Sequence, residues 1–347
     1  MNSTLTTALT TLAMTSLSGL AVAGGIPTKS PLTHFHDAEQ YWQSSHSGGP
    51  GKDGIPSIDD PRFWSADEGD AFLDDGDIVM GVYHNGEARA YPQRILVWHE
   101  IVNDTVGGDN LAVTYCPLTG TGVGFKRGET ELGVSGRLVN SNMIMYDRDS
   151  DSYWPQIPAL AVHGPHKGQA LEEFRVFWTT WENWKDRHPD TEVLSRRTGH
   201  ARNYRRDPYG SYNPRSDYYE ENTRRIMPVL EESDRYPPKH EIFGFRTEHE
   251  PVAVDKPWLS KAGYSIHEGE AHSFLILHDP GLETAWVYRG GAEDMPSDFN
   301  PDAVEFAPEG PEHEALEGLE SVNGFEAMWF AWYAFYPDTV VLDGEDG

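Results

Sequence analysis

Cysteine is almost missing from this chain: Cys116 stands alone among 347 residues. A single thiol excludes an internal disulfide framework, and it excludes a CxxC zinc or redox pair. Lysine is scarce as well, with eight against 19 arginines, and the 27 basic residues face 56 aspartates and glutamates for a net charge of −29. The acids are spread along the whole chain, which argues against one acidic patch built for a cationic partner and against attraction to nucleic acid or an anionic membrane. Dense carboxylates with few lysines suit a protein kept hydrated where molar salt screens its self-repulsion to about 3 Å, so the composition reads as that of a halophile, an archaeal one. Several signatures are lacking too. There is no GxSxG elbow, P-loop, dinucleotide glycine fingerprint or HExxH. Beyond residue 23 no run is long and apolar enough to span a bilayer.

What is present begins with a weakly apolar segment over residues 4–23, ending Ala21-Val22-Ala23 ahead of Gly24, as at a secretory cleavage site, although no basic residue precedes it. An extracellular or cell-surface location is the expectation. Ser45 to Asp53, SHSGGPGKD, reads as a flexible tether, so residues 1–54 count as leader and tether.

The chain repeats itself. An offset of 163 lays Gly81 on Gly244, Glu87 on Glu250, Ala90 on Ala253, Leu96 on Leu259, Pro117 on Pro280 and Thr121 on Thr284. Further on, an offset of 148 lays Trp181, Trp184 and Pro189-Asp190-Thr191 on Trp329, Trp332 and Pro337-Asp338-Thr339. Two tandem related modules follow, over 55–195 and 241–347, joined by a connector over 196–240. Short alternating runs with Asn85-Gly86 and Gly107-Gly108 turns predict hairpins. Helices are expected after Thr179 and after Asn323, with their paired tryptophans as core anchors. The fold class expected is β-rich α+β, each module made of short antiparallel strands with one C-terminal helix.

The repeat serves as an internal control, because residues needed only for the shared fold should recur. Cys116 falls on Asp279, His99 on Ala262 and Glu100 on Gly263, and residues 135–168 have only an acidic, proline-broken counterpart. Cys116, at a strand end before Pro117, is a candidate nucleophile or metal ligand if an imidazole lowers its pKa, or else a small buried hydrophobe. His99-Glu100 opens the strand expected to pair with that of Cys116, on opposite faces, and His99 is taken as the base or second ligand. Its bland alternative is a strand histidine satisfied by backbone. His163, with His166 beside it, completes a thiolate–imidazole set of Cys116, His99 and His163 suited to copper or zinc.

Asp147 joins the catalytic candidates. Asn140, Asn142, Trp154 and Gln156 form a polar and aromatic group that either orients a ligand or satisfies the turns of a β-meander. The stretch Arg196 to Arg225 holds eight arginines, five tyrosines and four acids. Through Arg206 and Tyr209 it could take an anionic ligand, or it could dock on the acidic modules and fix their relative position.

The runs KDGIPSIDDPRF, GVYHNGEARAYPQRILVWHEIVNDTVGG, LAVTYCPLTGTGVGF, VSGRLVNSNMIMYDR, HPDTEVLSRRTG and WFAWYAFYPDT, spread from Lys52 to Thr339, resemble the bacterial and archaeal domain of unknown function 3179. The resemblance implies export and no particular reaction. Relatives often read C-P-L-C-G where this chain has Cys116-Pro-Leu-Thr119-Gly, so two-thiol chemistry is not carried over and single-thiol roles remain. Two functions are thus expected: a thiol- or metal-centred site around Cys116, or a non-catalytic surface module for a small molecule, an anionic glycan or a protein. Neither involves nucleic acid or a membrane span.

Overall fold

The computed structural model describes residues 25–344, so the leader expected over 4–23 lies outside the described residues. The chain is β-rich, with short helices and small, mainly antiparallel sheets, and the sheets stand as five blades of a propeller rather than as two tandem modules. The first blade orders its strands Phe177–Thr180, Ile78–His84, Glu87–Pro92, Glu192–Leu194 and Phe63–Ser65. The second combines Ile101–Val106, Asp109–Cys116, Thr121–Lys126 and Glu173–Phe174. Leu132–Val139, Asn142–Asp147, Tyr153–Pro155 and His46–Ser47 make the third. Glu241–Arg246, Pro251–Asp255, Gly324–Met328 and Val340–Leu342 make the fourth, and Tyr264–Glu268, Ser273–Asp279, Thr284–Gly290 and Glu320–Val322 the fifth.

The internal repeat explains this count. The offset of 163 carries the hairpins of the first and second blades onto those of the fourth and fifth, and the offset of 148 carries Trp181–Arg187 onto Trp329–Phe335 and Glu192–Leu194 onto Val340–Leu342. The third blade has no equivalent. In its place the second copy has a two-stranded ribbon, Glu305–Ala307 with Gly310–Glu312. Copy one therefore contributes three blades and copy two contributes two.

The two copies do not form separate cores. Cys116, Ile144 and Trp154 of copy one pack in a single buried cluster with Ile242, Phe325 and Trp332 of copy two. Polar groups tie the inner edges together at the axis. Arg175 donates to Gly324 O, to Thr284 Oγ1 (2.7 Å) and to Ala285 O (3.1 Å), while Met328 N donates to Thr119 O (3.1 Å).

Two expected local features took a different form. Residues 45–53 are no loose tether: His46–Ser47 is an edge strand paired with Leu138 and Arg137, and Asp53 accepts from the Tyr146 hydroxyl (2.6 Å). The second expected helix begins at Trp329, because the residues after Asn323 first form the strand Gly324–Met328. The Asn85-Gly86 and Gly107-Gly108 hairpins form as expected, with positive φ at all four residues.

One packing device accounts for several of the repeated identities. A Cβ on Gly81 would lie 2.2 Å from the Trp184 ring, and one on Gly244 would lie 2.2 Å from Trp332. Each indole lies flat on its strand because glycine leaves the room, and each N–H is spent seven residues on, Trp184 on Thr191 Oγ1 (2.9 Å) and Trp332 on Thr339 Oγ1 (3.0 Å). Gly81→Ala or Gly244→Ala should therefore destabilise by about 1–3 kcal/mol through overpacking. Thr191→Val, which strands a buried N–H, should cost about 1–3 kcal/mol. Equilibrium unfolding in denaturant at constant high salt measures both.

Candidate functional site

The second blade opens on a sharp reversal. After the helix Gln93–Leu96, the Leu96 carbonyl accepts from His99 N (3.0 Å) and Glu100 N (2.6 Å), and Glu100 takes φ +61° before the strand from Ile101 begins. The fifth blade makes the same reversal with Gly263, φ +78°, whose N–H bonds to Leu259 O (2.8 Å). Glycine enters this region freely, whereas a residue with a Cβ costs about 1–2 kcal/mol there.

The side chain adds a second cost. Glu100 is buried, and among the described residues its carboxyl oxygens accept no hydrogen bond. Desolvation alone pushes the group up to about 8, so the acid is protonated at neutral pH.

Glu100 O accepts Tyr115 N (2.7 Å), which sets Glu100 beside the end of the strand that carries Cys116. The thiol is fully buried, with Sγ 3.8 Å from Ser141 O. Burial, and then the Glu100 carboxylate, push the thiol up to about 11. This corrects the expectation of an activated thiolate, which required an imidazole at this place. Two connector tyrosines close the corner. Tyr209, half-buried, is pushed up to about 12 by desolvation and then by Glu100 and Cys116, and Tyr218 donates its hydroxyl to Leu118 O (2.7 Å).

His99 faces the other way, and both it and Glu100 lie in the turn before the strand from Ile101 rather than in that strand, where they were expected. Its Nδ1 lies 2.8 Å from Pro56 O and must donate, so Nε2 accepts from the Tyr204 hydroxyl at 2.7 Å. Desolvation lowers the ring to about 4, which keeps it neutral. Of the expected pair, the carboxylate and not the imidazole approaches the sulfur. His163 is exposed and stacks on Trp42, with centroids 4.3 Å apart. Cys116, His99 and His163 are thus not assembled as copper or zinc ligands, and no group of three or more His, Cys, Asp or Glu side chains among the described residues is placed to hold a metal ion.

Asp147 is a turn anchor rather than a catalytic group. It accepts from Ser150 N (2.6 Å), Ser150 Oγ (2.7 Å), Ser152 N (3.2 Å) and Trp154 Nε1 (3.0 Å). The fifth blade repeats the arrangement, with Asp279 holding Gly281 N (2.9 Å), Leu282 N (3.1 Å) and Trp286 Nε1 (3.1 Å). In both blades the tryptophan follows seven residues after the aspartate; in the second blade those two places are Cys116 and Val123. Cys116 thus stands where a structural aspartate stands elsewhere.

The amide cluster is also structural. Asn142 Nδ2 donates to Gln156 Oε1 (2.9 Å) and Thr119 Oγ1 (3.1 Å), and Gln156 Nε2 donates to Thr114 Oγ1 (2.9 Å), all fully buried. Asn140 donates to Ala334 O (2.8 Å) and accepts from Leu230 N (2.8 Å), joining the third blade to the fourth and to the connector. Trp154, fully buried, is spent on Asp147. Arg206 is exposed, and its carbonyl accepts from Trp98 Nε1 (3.0 Å). From the expected residues the fold gathers only Cys116 and Tyr209, and it adds Glu100 and Tyr218. The signal for Glu100 was a charged residue aligned with a glycine right after a helix.

No curated protein and no solved structure matches the chain. A family model described as a protein of unknown function, DUF3179, matches residues 52–339, most of the chain and every blade core, and the chain belongs to that family.

Proposed function

We propose that the protein is an exported, salt-adapted propeller whose working centre is the corner of Glu100 and Cys116, where a protonated carboxylic acid meets a small ligand. The carrying observation is that copy one keeps a largely buried glutamate without a hydrogen-bond partner among the described residues, at a left-handed position where copy two has glycine. A residue that costs the fold stability in both backbone and side chain, without a compensating contact, marks a functional site. Export rests on the leader's pattern, and salt adaptation on the acidic composition.

In this reading neutral Glu100 donates a hydrogen bond, or its proton, to a ligand oxygen and can recover it in return. Cys116, held as a thiol, supplies a soft contact rather than a nucleophile. Tyr209 flanks both and brings the connector into the site. No helix among the described residues is long and apolar enough to cross a membrane.

The sign of the pH dependence follows from the raised acid. Between the usual carboxylate value and about 8 the folded state keeps a proton that the unfolded state releases, so this group's contribution to stability falls as pH rises through that window and levels off above it. Glu100→Gln should flatten that slope, and Glu100→Gly should raise the melting temperature, most of all above pH 8. Infrared difference spectra should show a protonated carboxyl band at pH 6–7 that Glu100→Gln removes; an ionised Glu100 at pH 6 would sink the proposal.

Thiol labelling of native protein at pH 7 should run at least about a hundredfold slower than for a free cysteine, given the raised thiol and its burial. Fast labelling of folded protein would restore the nucleophilic reading.

A further inference from the structure

A second site lies where the connector rests on the first blade. The cleft there has a volume of about 150 Å³ and is lined by Asp77, Gln93, Arg205, Ser211 and Asn213 among others. Most of its polar groups are already committed. Arg94 is paired with Asp77 and donates to Phe72 O (3.2 Å). Asp207 accepts from Gln93 Nε2 (2.7 Å), the Tyr219 hydroxyl (3.0 Å) and Tyr209 N (2.7 Å).

Two groups remain. Gln93 is only 7% exposed; its Nε2 is also spent on the Tyr115 hydroxyl (3.0 Å), which leaves Oε1 accepting nothing among the described residues. That oxygen still reaches solvent and is open to a donor from a ligand. Arg205 is exposed at the same cleft and makes no ion pair among the described residues, in a chain whose carboxylates outnumber its cations by 29. An unneutralised guanidinium beside an open acceptor calls for an anion that also carries a hydroxyl.

We infer that this cleft binds a small hydroxylated carboxylate of the sugar-acid type, its carboxylate on Arg205 and a hydroxyl donating to Gln93 Oε1. Nothing in this assignment depends on Glu100 or Cys116, so either site can fail alone.

The test is calorimetric titration of the full chain with D-glucuronate, and with D-glucose and acetate as probes lacking the charge or the hydroxyls. Saturable binding of glucuronate is expected, with glucose and acetate each at least tenfold weaker. Arg205→Ala should weaken glucuronate at least tenfold with an unchanged melting temperature. Arg206→Ala, removing the neighbouring exposed charge outside the cleft, should leave it unaltered. Absent binding, glucose or acetate binding as well as glucuronate, an indifferent Arg205→Ala, or an equal loss in Arg206→Ala would each overturn the assignment.

Discussion

Closing five small sheets into one ring drives their inner edges together at an axis that water barely reaches, and the polar groups there must find partners in one another. Arg175 is the clearest case. Partly buried, it lies in the segment leading into the innermost strand of the first blade and donates to groups of the fourth and fifth. The threonine, asparagine and glutamine network of Thr119, Thr121, Asn142 and Gln156 does the same between the second and third blades. These ties make the ring one body, and they explain why amides that resemble a ligand-binding group are structural.

The connector is the other half of closure. Its tyrosines reach blade edges from above: Tyr204 to His99, Tyr218 to the Leu118 carbonyl, and Tyr219 through Asp207 to Gln93. Lys239, fully buried, donates to the Tyr218 carbonyl and stands over the Tyr218 ring, and Arg215 pairs with Glu241. The connector's tyrosines, with Lys239 and Arg215, therefore hold the strap down, while Arg197, Arg202, Arg206 and Arg224 stay exposed without an ion pair among the described residues. Arg205 and Tyr209 lie at the two places where ligands are proposed.

Within this frame the differences between the copies acquire physical meaning. Gly81 and Gly244 recur because an indole needs the space above each, and Asp279 recurs as Asp147 because a blade turn needs its carboxylate. Glu100 and Cys116 answer no such need. They replace a glycine and a turn-capping aspartate with groups whose buried forms are neutral, and the fold carries them at the expense of stability, the usual relation between a site and its scaffold.

The sequence by itself determined several of the strands, the two glycine-turn hairpins, the existence of the two tryptophan-anchored helices and the repeat, because each is written in short-range periodicity or in a direct comparison of residues within the chain; the further helices, Gln93–Leu96 among them, were not legible in it. It also located the asymmetry at Cys116 and Glu100. Only the tertiary structure decided that three blades and two make one ring, since nothing local to residues 135–168 says that they insert a blade rather than decorate a module. It likewise decided which of His99 and Glu100 faces the sulfur. Both lie in a left-handed turn before the strand, so their directions depend on that turn, on how the blade packs against its neighbours and on the tyrosines that a distant connector brings to each side.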